Sequence, residues 1–214
     1  MPTADARYPD VLAVTPATAP VDADVTLPGS KSYTNRALII AALADGHSTI
    51  REALFSDDTR YMAAALAQLG IDVRPREDDR CFAVDGCAGR IPAPAATLYV
   101  GNSGTSARFL TALVALGHGE YTIDGDARMR QRPIAPLLDA LAQLGIDAAS
   151  IEGSGCPPIR VRSSGLAGGE VRIAGDTSSQ YISALMMVAP LAQHGIRIII
   201  EGDLVSKPYI DLTA

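Results

Sequence analysis

An identical octapeptide, ALAQLGID, occurs at residues 65–72 and again at 140–147, 75 residues apart. Self-similarity at a fixed period points to a fold built from repeated units. Other landmarks keep the interval: Pro133 and Pro208 are 75 apart, and each follows a base, Arg132 or Lys207. Gly29, Gly101 and Gly175 open three similar stretches. Each stretch has an alternating or β-branched run first (Val21–Leu27, Thr97–Val100, Glu170–Ile173). A Gly/Ser/Thr-rich turn follows (GSKSYTN, GNSGTSA, GDTSSQ), then an apolar segment (RALIIAALA, RFLTALVAL, YISALMMVAPLA). A turn with a histidine (His47, His118, His194) leads into a second strand. In the first two units an amphipathic segment follows at helical spacing, with Met62, Leu66 and Leu69 in one and Ile134, Leu137, Leu138, Leu141 and Leu144 in the other. A closing strand, CFAVDG or IRVRSS, completes the unit.

The first helix of each unit is apolar nearly all round behind a polar tip, which predicts burial on most faces. Three such helices packed in parallel would bring their N-termini together. A helix N-terminus offers unpaired N–H groups and partial positive charge, so several together suit a phosphate or carboxylate. The tips carry Lys31, Ser32 and Arg36; Asn102, Gly104, Thr105 and Arg108; Ser178, Ser179 and Gln180. Simple N-capping explains one such tip; three in register favour a shared anion site. The chain holds only two lysines, Lys31 and Lys207, and both fall on repeat landmarks. A compact ammonium does what guanidinium cannot.

Composition narrows the rest. In 214 residues, 48% are hydrophobic and 20% charged, which excludes a disordered chain. A net charge of −6 excludes a general nucleic-acid binder. No apolar run is long enough to span a membrane. The start, MPTADARYPD, lacks the basic and apolar regions of a signal peptide. Three unevenly spaced cysteines suggest free thiols in a reducing cytoplasm.

Five motifs resemble 5-enolpyruvylshikimate-3-phosphate synthase, in family order: LPGSKSYTNRAL at 27–38, GNSGTSARFL at 101–110, GDARMRQRPI at 125–134, GDTSSQYISALMMVAPL at 175–191 and SKPYIDLT at 206–213. Thr34 stands where the family commonly has Ser, and Phe109 where many members have Pro. The resemblance implies a mixed α/β (α+β) fold, an inside-out α/β barrel domain of repeated βαβαββ units. It implies enolpyruvyl transfer from phosphoenolpyruvate to the 5-hydroxyl of shikimate 3-phosphate, without metal or organic cofactor. Carried over by motif, Lys31 contacts both substrates, and Ser32 and Arg36 bind shikimate 3-phosphate. Gly104 and Arg132 hold phosphoenolpyruvate. Ser178 and Ser179 bind the shikimate phosphate, Gln180 reaches both ligands, and Ser206 joins the phosphate site with Tyr209 nearby. Asn102 and Thr105 orient neighbouring groups. Arg128 and Arg130 are expected in support, and Asp57 and Asp58 as helix caps.

The 75-residue offset places Ala214 opposite Asp139, inside the second helix of a unit. The expectation is an incomplete N-terminal domain at 21–214, with residues 1–20 belonging in the family to a C-terminal domain absent here. Proton-transferring carboxylates would lie in that half, so the isolated chain is expected to be inactive. A non-catalytic anion-binding domain is the alternative. The sister enzyme acting on UDP-N-acetylglucosamine fits poorly, because Lys31 is followed by Ser32 rather than Asn and the Asp126–Arg132 loop has no Cys.

Overall fold

The computed structural model describes residues 11–214. It is a mixed α/β structure in three successive units. The first contains α1 (Lys31–Leu43), β1 (Asp45–Ile50), α2 (Asp57–Gln68), β2 (Asp72–Arg76) and β3 (Cys81–Cys87). The second contains β4 (Ala95–Tyr99), α3 (Gly104–Leu113), β5 (His118–Asp124), α4 (Ala135–Gln143), β6 (Asp147–Ser150) and β7 (Ile159–Ser164). The third contains β8 (Gly169–Ala174), α5 (Ser179–Val188), β9 (Ile196–Glu201) and the short α6 (Lys207–Asp211). The sheets are separate, in the orders β1-β3-β2, β4-β5-β7-β6 and β8-β9.

The octapeptide copies show how sequence repeats become structural repeats. Each ends an outer helix, α2 or α4, at a leucine followed by glycine. Gly70 and Gly145 take φ of +83° and +81°, a left-handed conformation that costs glycine little and stops a helix cleanly. Leu66 and Leu69 in one copy, and Leu141 and Leu144 in the other, are buried. The inner helices match the expectation of all-round apolarity. Every residue of α3 is buried, and most of α1 and α5. The core runs continuously from Leu38 and Leu66 through Leu110 and Tyr121 to Ile182 and Leu185.

Serines start all three inner helices. Ser30, Ser103 and Ser178 are the N-caps of α1, α3 and α5, and each side chain accepts from a backbone N–H of the first turn.

Three expectations change. Residues 21–27 form no strand: Val21, Val25 and Leu27 are 81%, 76% and 77% exposed. In the other units this element pairs in parallel at a sheet edge, β4 on β5 and β8 on β9. In the first unit no partner among the described residues pairs with that edge of β1. An edge strand has one neighbour to hold it, and the flanking Pro20 and Pro28 cannot donate hydrogen bonds. The single closing strand read from the residue pattern is a hairpin, β2–β3 or β6–β7, which is the ending that the βαβαββ unit of the resemblance implies. The extra strands are short, and β2 carries Pro75, which confines it to an edge. His47 and His118 lie in β1 and β5, not at helix ends; the Nδ1 of His47 is 2.6 Å from Asp85. Residues 11–20 form neither helix nor strand and are exposed, while the rest of the 1–20 segment lies outside the described residues.

Candidate functional site

The three inner helices start beside one another. Their tips and the start of α6 enclose a cavity of about 340 Å³ lined by Lys31, Ser32, Arg36, Thr105, Ser178, Ser179, Gln180, Ser206 and Tyr209. All nine are residues that the sequence motifs single out. Among the described residues no carboxylate lines it. Such a surface, made of hydroxyls, an amide and cations at helix N-termini, is chemically suited to a polyhydroxylated anion.

Lys31 is the first residue of α1, with its Nζ 3.4 Å from Asp58 at the start of α2. Asp58 also accepts from the Ser103 hydroxyl at 2.8 Å, so it ties the tips of α1, α2 and α3 together. The cap expected at Asp57 and Asp58 is Ser56 instead, with both carboxylates in the first turn of α2. The tie made by Asp58 depends on α2 packing beside α1 and α3, and no spacing rule reveals that.

Arg36 is buried, and four of its five guanidinium N–H groups are engaged within the protein. Its guanidinium donates to the Thr213 hydroxyl (2.7 Å), the Ser32 carbonyl (3.1 Å), the Ser183 hydroxyl (3.1 Å) and the Tyr209 carbonyl (3.1 Å). It stacks over Phe109 at 5.2 Å from the ring centre. Burial lowers its pKa, and Tyr209 opposes that. In this arrangement Arg36 fastens α6 to α1 and α5. Gln180 donates to the Thr105 hydroxyl at 3.3 Å, joining the tips of α5 and α3. Ser206 caps α6 with a φ of +54°, a conformation that non-glycine residues seldom take and that clusters at functional positions.

Gly104, Asn102 and Arg132 lie outside this lining. Arg132 donates through Nη1 to the Asn102 carbonyl at 2.8 Å, with the Asn102 side-chain oxygen at 3.4 Å. Asn102 lines a separate small cleft with Asp57, Asp58, Tyr61, Ser103 and Asp126. A side chain at Gly104 would meet the Arg132 Cζ at 2.7 Å and the Arg108 Nη1 at 2.5 Å. Glycine leaves room for two guanidinium groups to cross the tip of α3, and a Cβ there would push them aside. Arg130 pairs with Asp124 at 2.5 Å, and Arg128 donates to Gln131. Asp57 pairs with Arg60 on the outer face of α2.

Fold and site together define a mixed α/β protein with a pocket of hydroxyls, an amide and cations at converging helix N-termini. The family model described as EPSP synthase (3-phosphoshikimate 1-carboxyvinyltransferase) matches residues 16–214, and the chain belongs to that family. A 3-phosphoshikimate 1-carboxyvinyltransferase of Shewanella piezotolerans is 50% identical over 194 residues, covering 90% of this chain and 46% of the relative. That of Shewanella denitrificans is 49% identical, covering 90% and 45%. The chain thus spans about half the length of the curated relatives it matches. An EPSP synthase structure from Acinetobacter baumannii superposes with a TM-score of 0.75 at 24% identity, over 84% of this chain and 40% of that one. That likeness establishes the shared fold. Among the described residues no helix is long and apolar enough to cross a membrane.

Proposed function

We propose that this chain supplies the shikimate 3-phosphate side, and part of the phosphoenolpyruvate side, of an enolpyruvyl transferase. The reaction joins the enolpyruvyl group of phosphoenolpyruvate to the 5-hydroxyl of shikimate 3-phosphate and releases phosphate. The observation that carries this reading is the gathering of residues from three sequence-distant helix tips around one cavity.

Each residue then has a physical task. Ser178, Ser179 and Ser206 offer hydroxyls to the shikimate phosphate. Ser32, Gln180 and Arg36 hold the ring hydroxyls and phosphate, with Arg36 offering its remaining Nη1 N–H. Lys31 lies between the two substrates, where its ammonium stabilises charge that builds up as the vinyl ether bond forms. Arg132 grips a carboxylate or phosphate with its fork, the backbone N–H of Gly104 adds a donor, and Asn102 and Thr105 fix their directions. Positioning and charge stabilisation account for large parts of a catalytic rate. Protonating the methylene carbon requires an acid as well. Among the described residues no carboxylic acid lines the cavity. That supports a division of labour in which residues 21–214 bind and a second domain, like the remaining half of the relatives, supplies proton transfer. A cytoplasmic setting accords with these substrates.

The test is phosphate release from phosphoenolpyruvate and shikimate 3-phosphate. The 214-residue chain alone is expected to give none. Adding the C-terminal half of a relative as a separate polypeptide is expected to restore turnover. Turnover by the chain alone would refute the division of labour. Failure of both turnover and shikimate 3-phosphate binding would favour a domain for some other anion.

A further inference from the structure

Arg108 is a buried cation, 5% exposed, one turn inside the tip of α3. Its Nη1 donates to the Gly104 carbonyl at 3.0 Å and its Nη2 to the Pro133 carbonyl at 2.8 Å. Its buried Nε has no partner among the described residues. Among those residues, neither Arg108 nor Arg132 has a carboxylate within ion-pair distance. Yet both guanidinium groups crowd the same point beside Gly104. Two like charges so placed repel one another, and burial adds a desolvation cost. An anion seated between the tip of α3 and Arg132 offsets both.

The hydrogen bonds show how Arg108 takes part without reaching into the cavity. Pro133 follows Arg132 directly, so the bond to its carbonyl pins the loop carrying Arg132 against α3. Arg132 closes the second fastening through the Asn102 carbonyl. The Tyr181 hydroxyl, on α5, donates to the same Pro133 carbonyl at 2.8 Å, and the Arg108 guanidinium lies 5.8 Å from the Tyr181 ring centre. The Gly104 carbonyl, the Arg132 loop and α5 therefore meet at one buried fork.

Building on the function proposed above, we infer that Arg108 is a positioning residue for the phosphoenolpyruvate subsite. It sets the direction of Arg132 and of the Gly104 backbone, and its uncompensated charge favours a ligand with more than one negative group. Lysine keeps the charge but cannot bridge two carbonyls with a planar fork.

The experiment compares the unsubstituted chain with Arg108→Lys and Tyr181→Phe. Each is titrated with shikimate 3-phosphate, then with phosphoenolpyruvate at saturating shikimate 3-phosphate, while the arginine side-chain N–H signals are followed by NMR. For Arg108→Lys, the phosphoenolpyruvate Kd is expected to rise about tenfold, as for loss of a charge-assisted bond. The shikimate 3-phosphate Kd should change less than about twofold, and the Arg132 Nε–H shift on adding phosphoenolpyruvate should shrink. Tyr181→Phe leaves the charge and most of the packing intact, and should weaken phosphoenolpyruvate about threefold by loosening the same carbonyl. Equal loss of both ligands, or no change for phosphoenolpyruvate in either variant, overturns the assignment. If the unsubstituted chain binds shikimate 3-phosphate but Arg108→Lys is silent, only this inference falls. If the unsubstituted chain binds neither substrate, the parent reading falls with it.

Discussion

Replacing Lys31 with alanine is expected to weaken shikimate 3-phosphate binding about a hundredfold while leaving the fold intact. A hydrogen bond to a charged group contributes about 1.5–3 kcal/mol, or roughly ten- to a hundredfold in affinity. The upper end applies here because the substitution also leaves Asp58 without its cation, beside an incoming anion. That carboxylate is 3.4 Å from the ammonium it would lose. Stability should hardly move: the Lys31 side chain is 48% exposed, and its pairing with Asp58 is of the half-exposed kind that contributes little. Isothermal titration alongside a thermal melt separates the two quantities. A loss below about threefold would mean that Lys31 does not touch the anion.

Leu110→Ala is expected to do the reverse, destabilising the chain by about 3 kcal/mol and leaving the pocket chemistry alone. Leu110 is fully buried in α3, the helix on which the other two inner helices and both outer helices converge. Leucine-to-alanine changes at such sites cost about 2–5 kcal/mol, through lost transfer energy and the cavity left behind. Pieces of both neighbouring units meet here, so the site has little freedom to collapse. For a chain of this size the midpoint should fall by about 6–12 °C. Ile40→Ala is the control: Ile40 lies on α1 but is 51% exposed, and should cost under about 0.5 kcal/mol. Similar losses for the two would contradict the description of α3 as the central helix.

These contrasts reflect what a linear sequence can carry. The inner helices were legible because all-round apolarity is a local property, and α3 is buried along its whole length as its composition requires. The pocket was legible for the same reason. Once three tips are recognised as repeats, their polar residues fall together without any long-range pairing being known. What escaped depends on partners. Residues 21–27 alternate as a strand should, yet alternation cannot supply a neighbour. The β2 strand has one half-buried side chain, too few to set a period. Asp58 and Arg108 acquire their roles only when α2 lies against α1 and Pro133 lies against α3. Arg36 reads as a free cation in its motif, but folding surrounds it with four protein acceptors. One Nη1 N–H is left for a ligand.

The most direct test of the account is the backbone amide spectrum of the 214-residue chain titrated with shikimate 3-phosphate. Saturable shifts are predicted at Lys31, Ser32, Ser178, Ser179, Gln180 and Ser206. None is predicted around the surface cleft formed by Gly119, Asp147 and Arg162. Shifts confined to that cleft, or a folded chain whose spectrum does not respond, would contradict the claim that the converging helix tips hold this anion.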